Sequence, residues 1–390
     1  MAKLARLVAL PLYGSFARLY GGLDRVPPEI LSPASHFRKI PRSGQHSTIV
    51  VAESDDGCRG LGEAFGLPRA MASACLVNDV IAPALVGEDL DEPAAMLAAL
   101  RAYFIAMGHT RGPAMEALSG VDIALWDLKA RRAGKPLATL LGATPGPVDL
   151  YVSPVPFLPT PERSAAKALE YVAQGYRAIK LKVGRGIEVD LAHVAAVRAA
   201  IGSGRGLMLD VNCAYDVPTS IAFAKALKPY DLAWLEEPIR PDDPAALAEI
   251  RRAAPMPIAA GENEFTVEGY ETFLRAGAVD VLMPNISRAG GVSGILALSA
   301  PARRHGVRIS PHGVGGGIAV SAALHVCRAV DNCRLYEANR LPNALRDELP
   351  VPPLETVDGC LVARDAPGHG CDLDWALAET YRTDLPQGTR

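Results

Sequence analysis

Residues 178–186 read AIKLKVGRG, an apolar run that carries two lysines, Lys180 and Lys182, one residue apart. In a β-strand, positions i and i+2 point to the same face. The two ammonium groups would then stand roughly 7 Å apart at about 3.3 Å rise per residue. At an effective dielectric of about 20 their repulsion is about 2.4 kcal/mol. A strand this apolar holds such a pair only where other strands bring negative charge to the same place.

Those strands are legible on both sides. Short apolar runs occur at 148–154, 178–183, 206–212, 232–238, 257–263, 279–285, 307–312 and 334–339. Between them lie alanine-rich stretches with helical spacing, such as 188–201, 219–227, 244–253, 267–276, 293–305 and 317–329. Strands alternating with helices form right-handed βαβ units and a parallel sheet, and eight evenly spaced units favour a closed barrel over an open doubly wound sheet. The last run is followed by proline-rich sequence, so a final helix is not expected. Nearly every polar residue of these runs falls at the C-terminal end: Lys180 and Lys182, Asp210 and Asn212, Glu236, Glu262 and Asn263, Asn285, His312 and Glu337. In a β/α barrel that end is the active-site mouth. Asp210, Glu236 and Glu262 are 26 residues apart in turn, one per successive strand. Three adjacent carboxylates repel unless something neutralises them, and an all-oxygen set suits a hard divalent cation, Mg²⁺ before others. The competing reading is a structural ion pair to an arginine such as Arg240. Facing this site, two lysines are tolerable, one charged and one free to act as a base.

The region before the barrel reads as α+β. Two extended runs flank the turn signal Asp56-Gly57, helical patterns cover 69–84 and 92–107, and 113–133 is the strongest helix signal, ended by Gly134 and Pro136. The expected organisation is a capping domain at 1–145, a barrel at 146–345 and a segment at 346–390 that returns to the cap. The net charge of −3 argues against a nucleic-acid or polybasic membrane surface. No apolar run approaches the roughly 18 residues of a membrane helix. The N-terminal apolar run is broken by Pro11 and has no small-residue cleavage signature, so a signal peptide is not expected. Seven scattered cysteines, an odd number with no C-x-x-C, fit a reducing cytoplasm.

Taken in order, SGVDIALWDLKARRAGKPLATLLGA (119–143), KLK (180–182), LDVN (209–212), WLEEP (234–238), GEN (261–263), MPNISRAGGVSG (283–294) and SPH (310–312) resemble the enolase superfamily, in its mandelate racemase and muconate-lactonizing-enzyme branch. The resemblance implies an α/β fold, a (β/α)7β modified TIM barrel with an α+β N-terminal capping domain. It implies Mg²⁺ at Asp210, Glu236 and Glu262, with the first glutamate of WLEEP as ligand rather than Glu237. It makes Lys182 the base that removes the proton α to a carboxylate, Lys180 a contact of the enediolate, and Glu337 a contact of the substrate carboxylate. The chemistry is consistent: removing so weakly acidic a proton demands fixed positive charge where the dianion grows.

One position departs from the pattern. Where mandelate-racemase-like members have an aspartate that holds the histidine, and the muconate-lactonizing group has a lysine, this chain has Asn285. His312 then lacks a carboxylate there to fix its tautomer and raise its basicity. A racemase needs a base on each face of the carbon, whereas a dehydratase needs one base and an acid. The expected activity is therefore dehydration of an α-hydroxy sugar acid to a 2-keto-3-deoxy acid, with racemisation or epimerisation through Lys182 and His312 as the alternative. A non-catalytic binding barrel would have no need for paired lysines. Arg288 is read as shaping the turn after its strand. Tyr151 and Asn212 are expected to line the pocket, together with Tyr13, Phe16, Arg18 and Tyr20 from a glycine-containing capping loop. The expected partner is a small carboxylate, with no nucleic acid and no membrane, and the chain is expected to be a homo-oligomer.

Overall fold

The computed structural model describes residues 2–90 and 92–383. Its first three strands, β1 (Leu4–Ser15), β2 (Gly44–Ser54) and β3 (Arg59–Phe65), form an antiparallel sheet in that order. The β2–β3 hairpin turns at Asp56-Gly57, with Gly57 at φ +83°. Pro11 sits inside β1, an edge strand, where a missing N–H is tolerated. The sheet lies on the helix Pro113–Arg132, and the approach is close because both sides are glycine. A Cβ on Gly62 would fall 2.0 Å from the carbonyl oxygen of Gly120.

Eight parallel strands follow: β4 (Gly146–Val155), β5 (Ala178–Lys182), β6 (Gly206–Asp210), β7 (Trp234–Glu236), β8 (Ile258–Ala260), β9 (Val281–Leu282), β10 (Arg308–Ile309) and β11 (Tyr336–Asn339). They are paired in chain order from β4 to β10, and β11 pairs with β4. The ring closes through Glu337 N donating to Pro311 O (3.3 Å) and Ile309 N to Asn332 O (3.0 Å). A helix follows each of β4 to β10, from Pro161–Ala173 to Gly317–Ala329. The barrel is thus (β/α)7β. Strand residues alternate: Ile179 and Leu181 pack outward on the helices, while Tyr151, Met208, Trp234, Ala259 and Val281 fill the interior below the mouth.

After the barrel, Cys360–Ala363 pairs antiparallel with β4, and Tyr381 O accepts from Tyr13 N in β1 (2.8 Å). Of the expected C-terminal segment, 384–390 lie outside the described residues. Glu63 of β3 ties cap to barrel by accepting from the backbone N–H of Gly316 and Ala319 at the start of the helix Gly317–Ala329. Among the described residues no helix is long and apolar enough to cross a membrane.

His325 is wholly buried on the same helix and accepts from Ala138 N through Nδ1 (2.9 Å). Burial first, then the nearby His369, lowers its pKa from 6.5 to about 4. A folded-state value below the unfolded one contributes stability that is intact above pH 6.5 and is lost as the pH falls toward 4. From this group alone we expect no change in stability above pH 7 and a loss of about 3 kcal/mol by pH 4, whereas carboxyls that burial raises, Glu116 and Asp122 among them, pull the other way. Melting curves of the unaltered protein and of His325→Gln across that window check it, and an identical pH dependence of the two contradicts it.

Candidate active site

Strand register builds the site. Lys182 pairs in register with Asp210 and Asp210 with Glu236, so three charged side chains stand side by side on neighbouring strands. Glu262 follows two residues after β8. Oxygens of Asp210, Glu236 and Glu262 lie within 4.8 Å of one another. Arg240 turns away to Asp242 on the surface, so it does not neutralise them. Cations do so only in part. Lys180 Nζ, with no exposure, donates to Glu236 Oε1 and Oε2 (both 2.9 Å) and stands 3.0 Å from Glu337 Oε1. Lys182 Nζ donates to Asp210 Oδ2 (2.5 Å) and Asn212 Oδ1 (2.8 Å).

Electrostatics show which groups lack compensation. Burial, then Asp210 beside it, pushes Glu236 well above the ordinary carboxylate range. Burial, then Glu262 and Asp210, pushes Glu237 up to about 8. Burial raises Asp210 too, but Lys182 and Lys180 outweigh it and hold its carboxyl low. Burial works against the charged form of Lys182, yet Asp210 keeps it above the ordinary value. Glu262 Oε2 is buried without a hydrogen-bond partner: His312 Nε2 is 3.1 Å away but off line. An orphaned carboxylate oxygen among crowded acids is the environment a hard divalent cation satisfies, so the donor set fits such an ion.

Above these groups lies a cavity of about 700 Å³, lined on the barrel side by Lys182, Asn212, Glu237, Glu262, His312 and Glu337. Three of its lining residues, Asn212 (φ +46°), Cys213 (+61°) and Glu237 (+40°), hold the left-handed conformation that side chains other than glycine rarely adopt. Such strain, about 1–3 kcal/mol each, concentrates at functional sites. The strain aims Glu237 at Asn263 Nδ2 (2.9 Å) and Cys213 Sγ (3.4 Å).

His312 and Asn285 form a linked pair whose hydrogen-bond directions are fixed. Asn285 Oδ1 accepts from Ser287 N (2.9 Å), and Nδ2 donates to Val314 O (2.8 Å). With the amide so oriented, Nδ2 can only donate to His312 Nδ1 at 3.0 Å. Neutral His312 therefore carries its proton on Nε2, the nitrogen on the carboxylate side. Burial lowers its pKa, against the opposing pull of Glu262. His312 meets the cavity as a hydrogen-bond donor rather than a base. The substitution Asn285→Asp reverses this, because an aspartate accepts from Nδ1–H and leaves Nε2 basic. We expect the variant to gain α-proton exchange with inversion in deuterated water, read by NMR. Inversion by the unaltered protein would contradict the assignment.

The capping residues need correction. Arg18 stacks on Tyr381 (4.3 Å) and donates to Thr380 Oγ1 (2.9 Å). Phe16 is buried, Tyr13 donates to Ser43 Oγ (2.8 Å), and neither they nor Tyr20 line the cavity. The reason is local: Ser15 caps a short helix, Phe16–Tyr20, that turns the chain toward the C-terminal segment, and residues 33–46 cover the mouth instead. Tyr151 is also displaced. It lies in the barrel floor, 5.1 Å edge-on to Trp234 and 5.5 Å from Lys180 Nζ. Lys180 is likewise below the cavity wall. Glu337 Oε2 accepts from Gly313 N (3.0 Å). Arg288 does more than shape a turn: it stacks on Phe65 (3.7 Å), pairs with Glu116 (3.1 Å) and donates to Asn263 Oδ1 (3.1 Å), joining cap to barrel at the cavity. Sequence reading missed Arg42, His36, His46 and Glu237. The first three lie in HFRKIPRSGQH (36–46), whose density of cations without one acid was the available signal.

Residues 33–142 match the family model for the mandelate racemase/muconate lactonizing enzyme N-terminal domain, and 163–377 match the enolase C-terminal domain-like model. The chain is 35% identical over 350 residues to D-galactarolactone cycloisomerase of Agrobacterium fabrum, spanning 87% of this chain and 92% of that one. It is 33% identical over 329 residues to L-talarate/galactarate dehydratase of Salmonella typhimurium, spanning 83% and 80%. A crystal structure of a Streptomyces coelicolor racemase with bound magnesium superposes with a TM-score of 0.87 at 29% identity, covering 97% and 100%.

Proposed function

The chain belongs to the mandelate racemase/muconate lactonizing enzyme branch of the enolase superfamily, and from that premise we propose that it is a magnesium-dependent lyase, a dehydratase of an α-hydroxy sugar acid. Asp210, Glu236 and Glu262 would hold the ion, which when bound would supply Lewis acidity toward the substrate carboxylate. Lys182, the amine that lines the cavity, takes the α-proton. The C–H electron pair moves into the enediolate and then expels the β-oxygen as hydroxide, which accepts a hydrogen bond from His312 and becomes water with the proton that Lys182 gives back. The resulting enol takes up a proton at C3 and becomes the 2-keto-3-deoxy acid. Lys180 stays charged beneath, fixing Glu236 and Glu337.

The observation that carries this reading is the unequal pair across the mouth: one amine facing the cavity, and opposite it His312, held as a donor by Asn285. A donor assists a departing oxygen, whereas the racemase alternative needs a second base. The same observation favours a second reading. The ring oxygen of a sugar-acid lactone leaves as a carboxylate, which needs a hydrogen bond rather than a proton, so ring-opening cycloisomerisation suits a neutral His312. Incubation with Mg²⁺ and a panel of acid sugars and their lactones, read by a 2-keto-acid assay and by NMR in deuterated water, separates these. A keto product from open acids supports dehydration, and one from lactones alone supports cycloisomerisation. Exchange with inversion and no keto acid overturns both.

A further inference from the structure

The cavity is electrically divided. Its lining carboxylates, Glu237, Glu262 and Glu337, all belong to the barrel. The capping wall contributes His36, Arg42, His46 and Arg69 and not one acid. We propose that Arg42 binds a second carboxylate at the far end of the substrate, so that the chain acts on diacids of the aldaric type. This rests on the reading above, in which the near carboxylate lies at Asp210, Glu236 and Glu262.

Arg42 carries the argument because, among the described residues, its guanidinium has no acid and no hydrogen-bond partner. Its guanidinium lies 5.5 Å from the Phe16 ring and 5.3 Å from the Phe37 ring, and Nε and Nη2 are buried without a hydrogen bond. Leaving such donors unmade is costly, since each buried polar group without a partner forfeits its hydration. Burial lowers its pKa only to about 10, so the group is charged at neutral pH. Its backbone is anchored by Arg42 N donating to Leu31 O (2.8 Å), so the side chain is presented rather than stranded. The other arginines of the wall do not compete. Arg288 is committed to Glu116 and Asn263, and Arg69 is exposed, where water serves it. A planar guanidinium in the cavity wall that lacks an acid partner and is backed by aromatic rings matches a carboxylate. His46 Nδ1, also buried and unpartnered, lies in the same wall. Burial lowers its pKa to about 4, so it is a neutral polar neighbour.

Calorimetric titration of the magnesium-loaded protein with an aldarate and with the aldonate of the same configuration tests this without depending on turnover. We expect the diacid to bind about 30-fold more tightly or better, and the ratio to collapse toward one in Arg42→Met. Arg42→Lys, which keeps charge but loses the fork, should fall between them and guards against a folding defect in the first variant. Equal affinity for diacid and monoacid in the unaltered protein overturns the proposal. So does a 6-phosphorylated aldonate that binds more tightly than the diacid, since that assigns the subsite to phosphate. If diacids bind as expected yet no substrate yields a keto acid, the lyase reading fails and the Arg42 subsite stands.

Discussion

Replacing Lys182 by methionine is expected to lower kcat by about 10³-fold or more, the range a positioned general base contributes. Lys182 lines the cavity and has 13% side-chain exposure, whereas Lys180 has none, so of the two amines only Lys182 can meet a substrate. Its in-register neighbour is Asp210, which is both its ion-pair partner and one of the three clustered carboxylates. Whatever charge occupies that cluster competes for Asp210 and so sets how readily Lys182 gives up its proton. Lys182→Arg separates the roles. It preserves the positive charge but cannot deprotonate, so an electrostatic role predicts substantial recovery and a base predicts none. Measuring kcat and KM for both variants decides, and an arginine variant with near-normal kcat would sink the assignment.

Lys180→Met is expected to act on stability. Its Nζ bonds both oxygens of Glu236 and lies 3.0 Å from Glu337, with no solvent access. Removing one partner of a buried ion pair leaves uncompensated charge and costs about 3–5 kcal/mol. Lys180 and burial oppose each other on Glu337, and Lys180 wins, holding that carboxyl well below the ordinary range. Without Lys180, Glu337 and Glu236 must protonate or repel. Added Mg²⁺ supplies positive charge to Glu236, so the deficit should shrink when the metal is present. Denaturant titrations of both proteins, with and without Mg²⁺, read this. Mg²⁺ should also stabilise the unaltered protein by mass action, and Glu262→Gln should remove most of that gain. A destabilisation of Lys180→Met indifferent to Mg²⁺ would separate Lys180 from the cation site.

The sequence alone determined the parts that rest on period and order. Eight apolar runs with polar C-terminal ends specify a barrel whose chemistry gathers at one mouth, because strand alternation and right-handed crossover leave little choice. Asp210, Glu236 and Glu262 were legible for the same reason: each closes a run, and neighbouring strands bring neighbouring ends together. Tertiary structure decided everything that depends on packing between distant segments. It put Arg42 over the mouth and sent Arg18 to Tyr381, a partner 363 residues away that no local pattern marks. It placed Lys180 beneath the cavity and Lys182 within it, though both share one strand face. It fixed the Asn285 amide through Ser287 and Val314, and with it the proton on His312. A side chain's depth and the direction of its hydrogen bonds are set by what packs around it, and periodicity carries neither.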